Sequence, residues 1–172
     1  MNRIAWLALA AVMSRAVFAA DMPAAAEPIA VLVPVAYAVR AVVPVNVKAE
    51  CHIENKVADD LAQALASDGL GGVATTSTSG RVLQATIERV IAQPGGGWSG
   101  PKTLSLTVQL LQDGQVVRTL HPSVTTKSLN PLSRTCASID RASEKSSAQV
   151  VKWIKTLPAH ANPVATAASA AD

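Results

Sequence analysis

Cys51 and Cys136 are the only cysteines in the chain. His52 beside the first, with His121 further along, adds the imidazoles that a metal site or an activated thiol would need. The residue types suit zinc, but a neighbouring Cys-His pair plus two distant residues lacks the short paired spacing of zinc sites. Cys51 with a histidine base has the types of a thiol nucleophile. In an oxidising compartment the two sulfurs join and that chemistry is consumed, so the sequence favours a Cys51–Cys136 disulfide. It assigns no catalytic residue, no metal ligand and no cofactor.

The second candidate is the run Gly95, Gly96, Gly97, Trp98, Ser99, Gly100, Pro101, Lys102 and Thr103. It approaches the phosphate loop G-x-x-x-x-G-K-T, but Pro101 is inserted before Lys102 and a strand follows, where phosphate cradling needs a helix N-terminus. Pro101 also stands where a nucleophile elbow has its second glycine. The run therefore reads as a glycine-rich hairpin connection whose indole either packs over the core edge or is offered to a partner. If it is functional, it is a binding loop comprising Gly95, Gly96, Gly97, Trp98, Ser99 and Lys102.

Asp59 and Asp60 are adjacent in a helical pattern and point about 100° apart, so they cannot share a proton as catalytic dyads do. They read as a solvated face. Ser138, Ser143, Ser146 and Ser147 read as the wet side of a second helix, without a histidine and aspartate to activate them. Lys145, Lys152 and Lys155 read likewise.

Residues 1–19 read as a secretory signal: Arg3 in a short basic start, an apolar Ile4–Met13 too short to span a bilayer, and Val17-Phe18-Ala19 before the expected cut. Arg15, between apolar run and cut, keeps an uncleaved anchor as the alternative. Of fifteen basic and twelve acidic side chains, the cut removes Arg3 and Arg15, leaving a net charge of about +1 and no reason to propose nucleic acid or an anionic membrane as partner. Residues 20–28 form an Ala/Pro linker, 29–158 a single domain, and 159–172 a disordered Ala/Pro tail. Aromatics are only 3% of the chain, so the core must be Val, Leu, Ile and Ala.

Within the domain, the Val-Pro-Val pieces at 31–35 and 42–47 are edge-strand candidates, because proline cannot donate to a ladder. Glu54–Ser67 is an amphipathic helix stopped by Gly69, and 70–80 a small-residue loop. Val82–Ala92, Leu104–Leu110 and Gln115–Lys127 form a meander, the last two joined by an Asp113-Gly114 turn. A second helix runs from Thr135 to Leu157 and ends at Pro158. The order β-α-β-β-β-α predicts an α+β two-layer sandwich, mainly antiparallel, with both helices on one face.

With GGGWSGPKT, Thr135-Cys136 and Trp153-Ile154 in place, the chain resembles small uncharacterised exported α/β proteins of Gram-negative bacteria. In element order it is also similar to periplasmic accessory domains of the LPS-assembly lipoprotein kind, without their lipid-bearing cysteine. The expectation is a periplasmic or secreted, non-catalytic binding or accessory module that engages another cell-envelope protein through a sheet edge or the Gly95–Lys102 loop. No membrane span is expected after signal cleavage, and the oligomeric state is left open. The alternative is a small hydrolase or thiol- or metal-dependent protein using Cys51, His52 and His121.

Overall fold

The computed structural model describes residues 27–92, 100–127 and 135–158. The expected signal peptide, most of the linker, the tail, and Gly95 to Ser99 lie outside these. Seven strands and three helices follow in the order β1 (Ile29–Leu32), β2 (Ala36–Val42), α1 (Val45–Cys51), α2 (Ile53–Ser67), β3 (Gly71–Thr75), β4 (Arg81–Ala92), β5 (Lys102–Gln112), β6 (Gln115–Leu120), β7 (Ser123–Thr126) and α3 (Thr135–Thr156). The fold is α+β.

The long ladders are antiparallel: β4 with β5, and β5 with both β6 and β7. Along β5, Leu104, Leu106, Val108 and Leu110 are buried while Thr103, Ser105, Thr107 and Gln109 alternate on the other face. A period of two with one apolar side yields a sheet with one covered face. The β5–β6 turn has Asp113 and Gly114 both at positive φ, 50° and 81°, as a two-residue hairpin demands. The predicted return strand is split into β6 and β7 at His121-Pro122, where the proline nitrogen has no hydrogen to give a ladder.

The other half of the sheet is parallel: β1 lies between β3 and β4, and β2 lies against β4 beyond the end of β1. The two Val-Pro-Val pieces are thus not a pair of edge strands. β1 is interior, Pro34 sits in the bend between β1 and β2, and Pro44 stands at the N-cap of α1. Proline is tolerated there because the first helical N–H groups have no intrahelical partner. The loop expected at 70–80 begins with strand β3. Its Gly72, at φ 99°, passes so close to α2 that a Cβ there would lie 2.2 Å from the Ala62 carbonyl oxygen.

Helices α2 and α3 cover the apolar face, burying Val57, Leu61, Leu65, Ile139, Val150 and Ile154 against the strands. They run parallel: Cys51, just before α2, is bonded to Cys136 in the first turn of α3, and at the far ends Lys155 pairs with Asp68. The serine stripe of α3 faces inward. Ser138, Ser143, Ser146 and Ser147 are all buried, because a small hydroxyl lets two helices approach closely and can return its proton to its own helix, as Ser146 does to the Ala142 carbonyl at 2.8 Å. Asp60 is buried too, held by Lys56 at 2.5 Å, so only Asp59 belongs to a solvated face.

Candidate functional site

A thiol or metal centre is not assembled. The sulfurs of Cys51 and Cys136 are bonded, with Cα atoms 5.2 Å apart. His52 is exposed at φ 44° in the joint between α1 and α2. His121 lies on the opposite side of the sheet, its Nδ1 3.0 Å from Thr107 Oγ1. It completes a row of cross-strand pairs with Thr103–Thr125 at 2.8 Å and Ser105–Ser123 at 2.9 Å. No group of three or more His, Cys, Asp or Glu suited to a metal occurs among the described residues.

Lys102 is not in the loop: it is the first residue of β5, paired with Ala92 and Thr126, and only 1% exposed. It points to the helix side with Leu104. The Ala92–Lys102 pairing places the base of the loop at the end of the sheet where Thr126 Oγ1 donates to the Ser138 carbonyl at 2.8 Å, beside the start of α3.

The seam between α2 and α3 holds a polar cluster. Lys56 reaches Asp60 at 2.5 Å and Glu144 at 3.9 Å, and the Asp60 hydrogen bond raises the lysine's pKa. Burial raises that of Asp140, with Lys56 opposing and the Asp60 and Glu144 charges adding to the rise. Among the described residues, Asp60 Oδ2 and the buried Ser143 and Ser147 hydroxyls have no hydrogen-bond partner. The seam opens into a cleft of about 310 Å³ bordered by Asp60, Gln63, Ser67 and Glu144. Through Lys56 the cluster links α2 to Glu144 of α3.

Of the large apolar side chains exposed among the described residues, Val39, Val42 and Val45 lie around β2 and α1, while Val73 stands on β3 and Ile91 on β4. Beyond β1 the sheet steps inward: β3 pairs with β1 alone, so among the described residues nothing lies outside β2. Ala36 and Tyr37 oppose Thr86 and Ile87, but Val42 already opposes Arg89. Ala38 to Ala41 are therefore a bulge, which twists a strand and lifts its side chains out of the ladder. Val39 at its crest is 104% exposed, and Val42 and Val45 nearby are 59% and 85% exposed. Between bulge and helix lies a cleft of about 460 Å³, lined by Tyr37, Ala38, Ala41, Val43, Val45 and Lys48 together with Val39.

Tyr37 anchors this surface. Its hydroxyl donates to Glu54 Oε2 at 2.7 Å, and Lys48 Nζ stands 4.4 Å from the ring centroid. Burial, then the Glu54 contact, raises the tyrosine's pKa. Burial would raise Glu54 as well, but the Tyr37 hydrogen bond, its own backbone N–H and the charges of His52 and Lys48 outweigh it and hold the carboxyl below the ordinary value. The sequence marks Val42 and Val45 as part of an edge-strand candidate through Pro44, but it does not single out Val39, which lies outside both proline-bearing pieces.

Neither a protein-family model nor a curated protein matches the chain. Among solved structures, it is similar to a DUF330-family protein from Xanthomonas campestris, with a TM-score of 0.55, 18% identity, and coverage of 77% of this chain and 87% of that one. A PelC dodecamer subunit from Paraburkholderia phytofirmans gives 0.48 and 15%, covering 70% and 84%. A minor lipoprotein from Acinetobacter baumannii gives 0.42 and 13%, covering 73% and 89%. At these identities the first likeness is one of fold alone.

Proposed function

We propose that the chain is a non-catalytic binding module of the bacterial cell envelope, exported by residues 1–19, that engages a protein partner through the β2–α1 face. The observation that carries this is the cluster of Val39, Val42 and Val45, solvent-exposed on an open sheet edge beside a cleft. Scattered surface valines need no explanation, but a contiguous apolar group on an unpaired edge marks an interaction surface. Tyr37 supplies an aromatic body with a satisfied hydroxyl, the kind of residue that anchors interfaces.

Support for export comes from the signal-like start of the chain and from the disulfide, which suits an oxidising compartment. With both sulfurs in that bond, the alternative based on Cys51, His52 and His121 has no thiol to use. The test is capture from envelope extract with three immobilised baits: the unaltered protein, Val39→Asp, and Thr119→Asp on the far edge strand β6. The unaltered and Thr119→Asp baits should recover a common partner that Val39→Asp loses. Equal recovery by Val39→Asp would remove this face from the function.

A further inference from the structure

We infer that the cleft between α2 and α3 binds a guanidinium group, held by the carboxylates of Asp60 and Glu144. This site shares no residue with the β2–α1 cleft and goes beyond the role proposed for that face. On α2, Asp60, Gln63 and Ser67 recur at helical spacing and turn one stripe towards the cleft, which α3 borders with Glu144. Ala64 on the same wall is too small to fill the gap. The remaining space of about 310 Å³ is at the small end for a ligand pocket.

The Asp60 side chain is only 4% exposed; Lys56 takes its Oδ1 at 2.5 Å, and Oδ2 has no hydrogen-bond partner among the described residues. A buried carboxylate oxygen is costly to leave without a donor, so this wall of the cleft calls for one. The charge calls for a cation. Asp60, Asp140 and Glu144 gather at the seam, and among the described residues Lys56 is the one cation at ion-pair distance from them. Arg141 and Lys145, the other cations close to Glu144 in sequence, are exposed and turned about 60° and 100° round α3 from it. No three acidic or imidazole groups among the described residues converge as a metal ion needs, so the cation is an organic one. Lys56 already brings a compact ammonium to one oxygen, whereas the acceptors that remain, on Asp60, Gln63 and Glu144, are spread across two helices. A guanidinium spreads five N–H donors over a plane and pairs with carboxylates edge-on, which an ammonium cannot do. A small molecule and an arginine side chain of another protein both carry this group.

Two-dimensional NMR of the purified, disulfide-intact protein tests this by titration to about 10 mM, a range that covers weak affinities. The probes are free arginine, N-acetyl-arginine amide, which presents the group as a protein chain does, lysine, and the uncharged isostere citrulline. Saturable shifts of the Gln63, Ser67 and Glu144 amides are expected with one or both arginine probes, and at least ~10-fold weaker binding with lysine and citrulline. Tighter binding of the blocked form identifies a protein side chain as the source, and tighter binding of the free form a small molecule. Glu144→Gln, at an exposed site, should weaken the arginine probe at least ~10-fold with circular dichroism unchanged, and Asp60→Asn should do the same where it folds. No saturable shift with either arginine probe overturns the inference. So does binding that citrulline or lysine matches, or that Glu144→Gln leaves intact. None of these results depends on the Val39 capture experiment, so either site can fail without the other.

Discussion

The Tyr37 hydroxyl and the Glu54 carboxylate lie 2.7 Å apart, tying the edge strand β2 to the first turn of α2. This one bond crosses from sheet to helix layer at the edge of the apolar cleft, and Lys48 covers the same ring from α1. Removing the donor in Tyr37→Phe should cost about 1 kcal/mol at neutral pH, below the usual range for a bond to a charged group because the pair is partly solvated.

The same pair sets a pH dependence. Glu54 titrates below its ordinary value in the folded state, so its contribution is complete above the unfolded carboxyl pKa of about 4.3 and fades as pH falls through the lower folded value. Glu54→Gln should therefore be less stable than the unaltered protein at pH 7, with the difference shrinking towards about pH 3. Urea unfolding at both pH values checks this; a difference that does not change with pH would assign Glu54 no such role.

Cys51 and Cys136 close a separation of 85 residues that includes α2 and every strand from β3 to β7. On the chain-entropy view that cross-link is worth about 4.5 kcal/mol, a large share of a marginal domain's stability. A Cys51→Ala, Cys136→Ala double variant should unfold at much lower denaturant, and reductant should destabilise the unaltered protein while leaving the double variant unmoved. Equal midpoints for the two proteins without reductant would remove the clasp from the stability of the fold.

Gly72 is where α2 and β3 touch backbone to backbone. A methyl group added there would lie 2.2 Å from the Ala62 carbonyl oxygen at a φ of 99°, so neither neighbour can yield by turning a side chain. Gly72→Ala should cost roughly 2–4 kcal/mol, the range for strain combined with overpacking. Gly69→Ala is the comparison: its φ is 68° but nothing lies within 4 Å, so it should cost less by thermal denaturation.

The central meander was legible because Leu104, Leu106, Val108 and Leu110 alternate without interruption and Asp113-Gly114 allows only a tight turn. Helix α2 was legible from its apolar period. What escaped was local structure decided by tertiary contacts. Val45–Cys51 is a helix of seven residues, too short to display a period and weak in propensity without its packing on Val47. β3 opens with two glycines whose positive φ only its place against Ile29 and Ala62 explains. The serines of α3 look wet by composition, yet they are buried because α2 approaches them. For the exposed β2 face the reason is sharper: valine carries no mark of whether it is covered, and Val31 at 0% and Val39 at 104% exposure both sit in valine-rich sequence. Only the step in sheet order between β3 and β2 tells them apart.

The role of that face is tested most directly in living cells, with a photo-crosslinking amino acid placed at Val39 in one strain and at Thr119 on the far edge in another. A binding face at β2 predicts a discrete cross-linked product from position 39 and none from position 119. No product from position 39, or the same products from both, would contradict it.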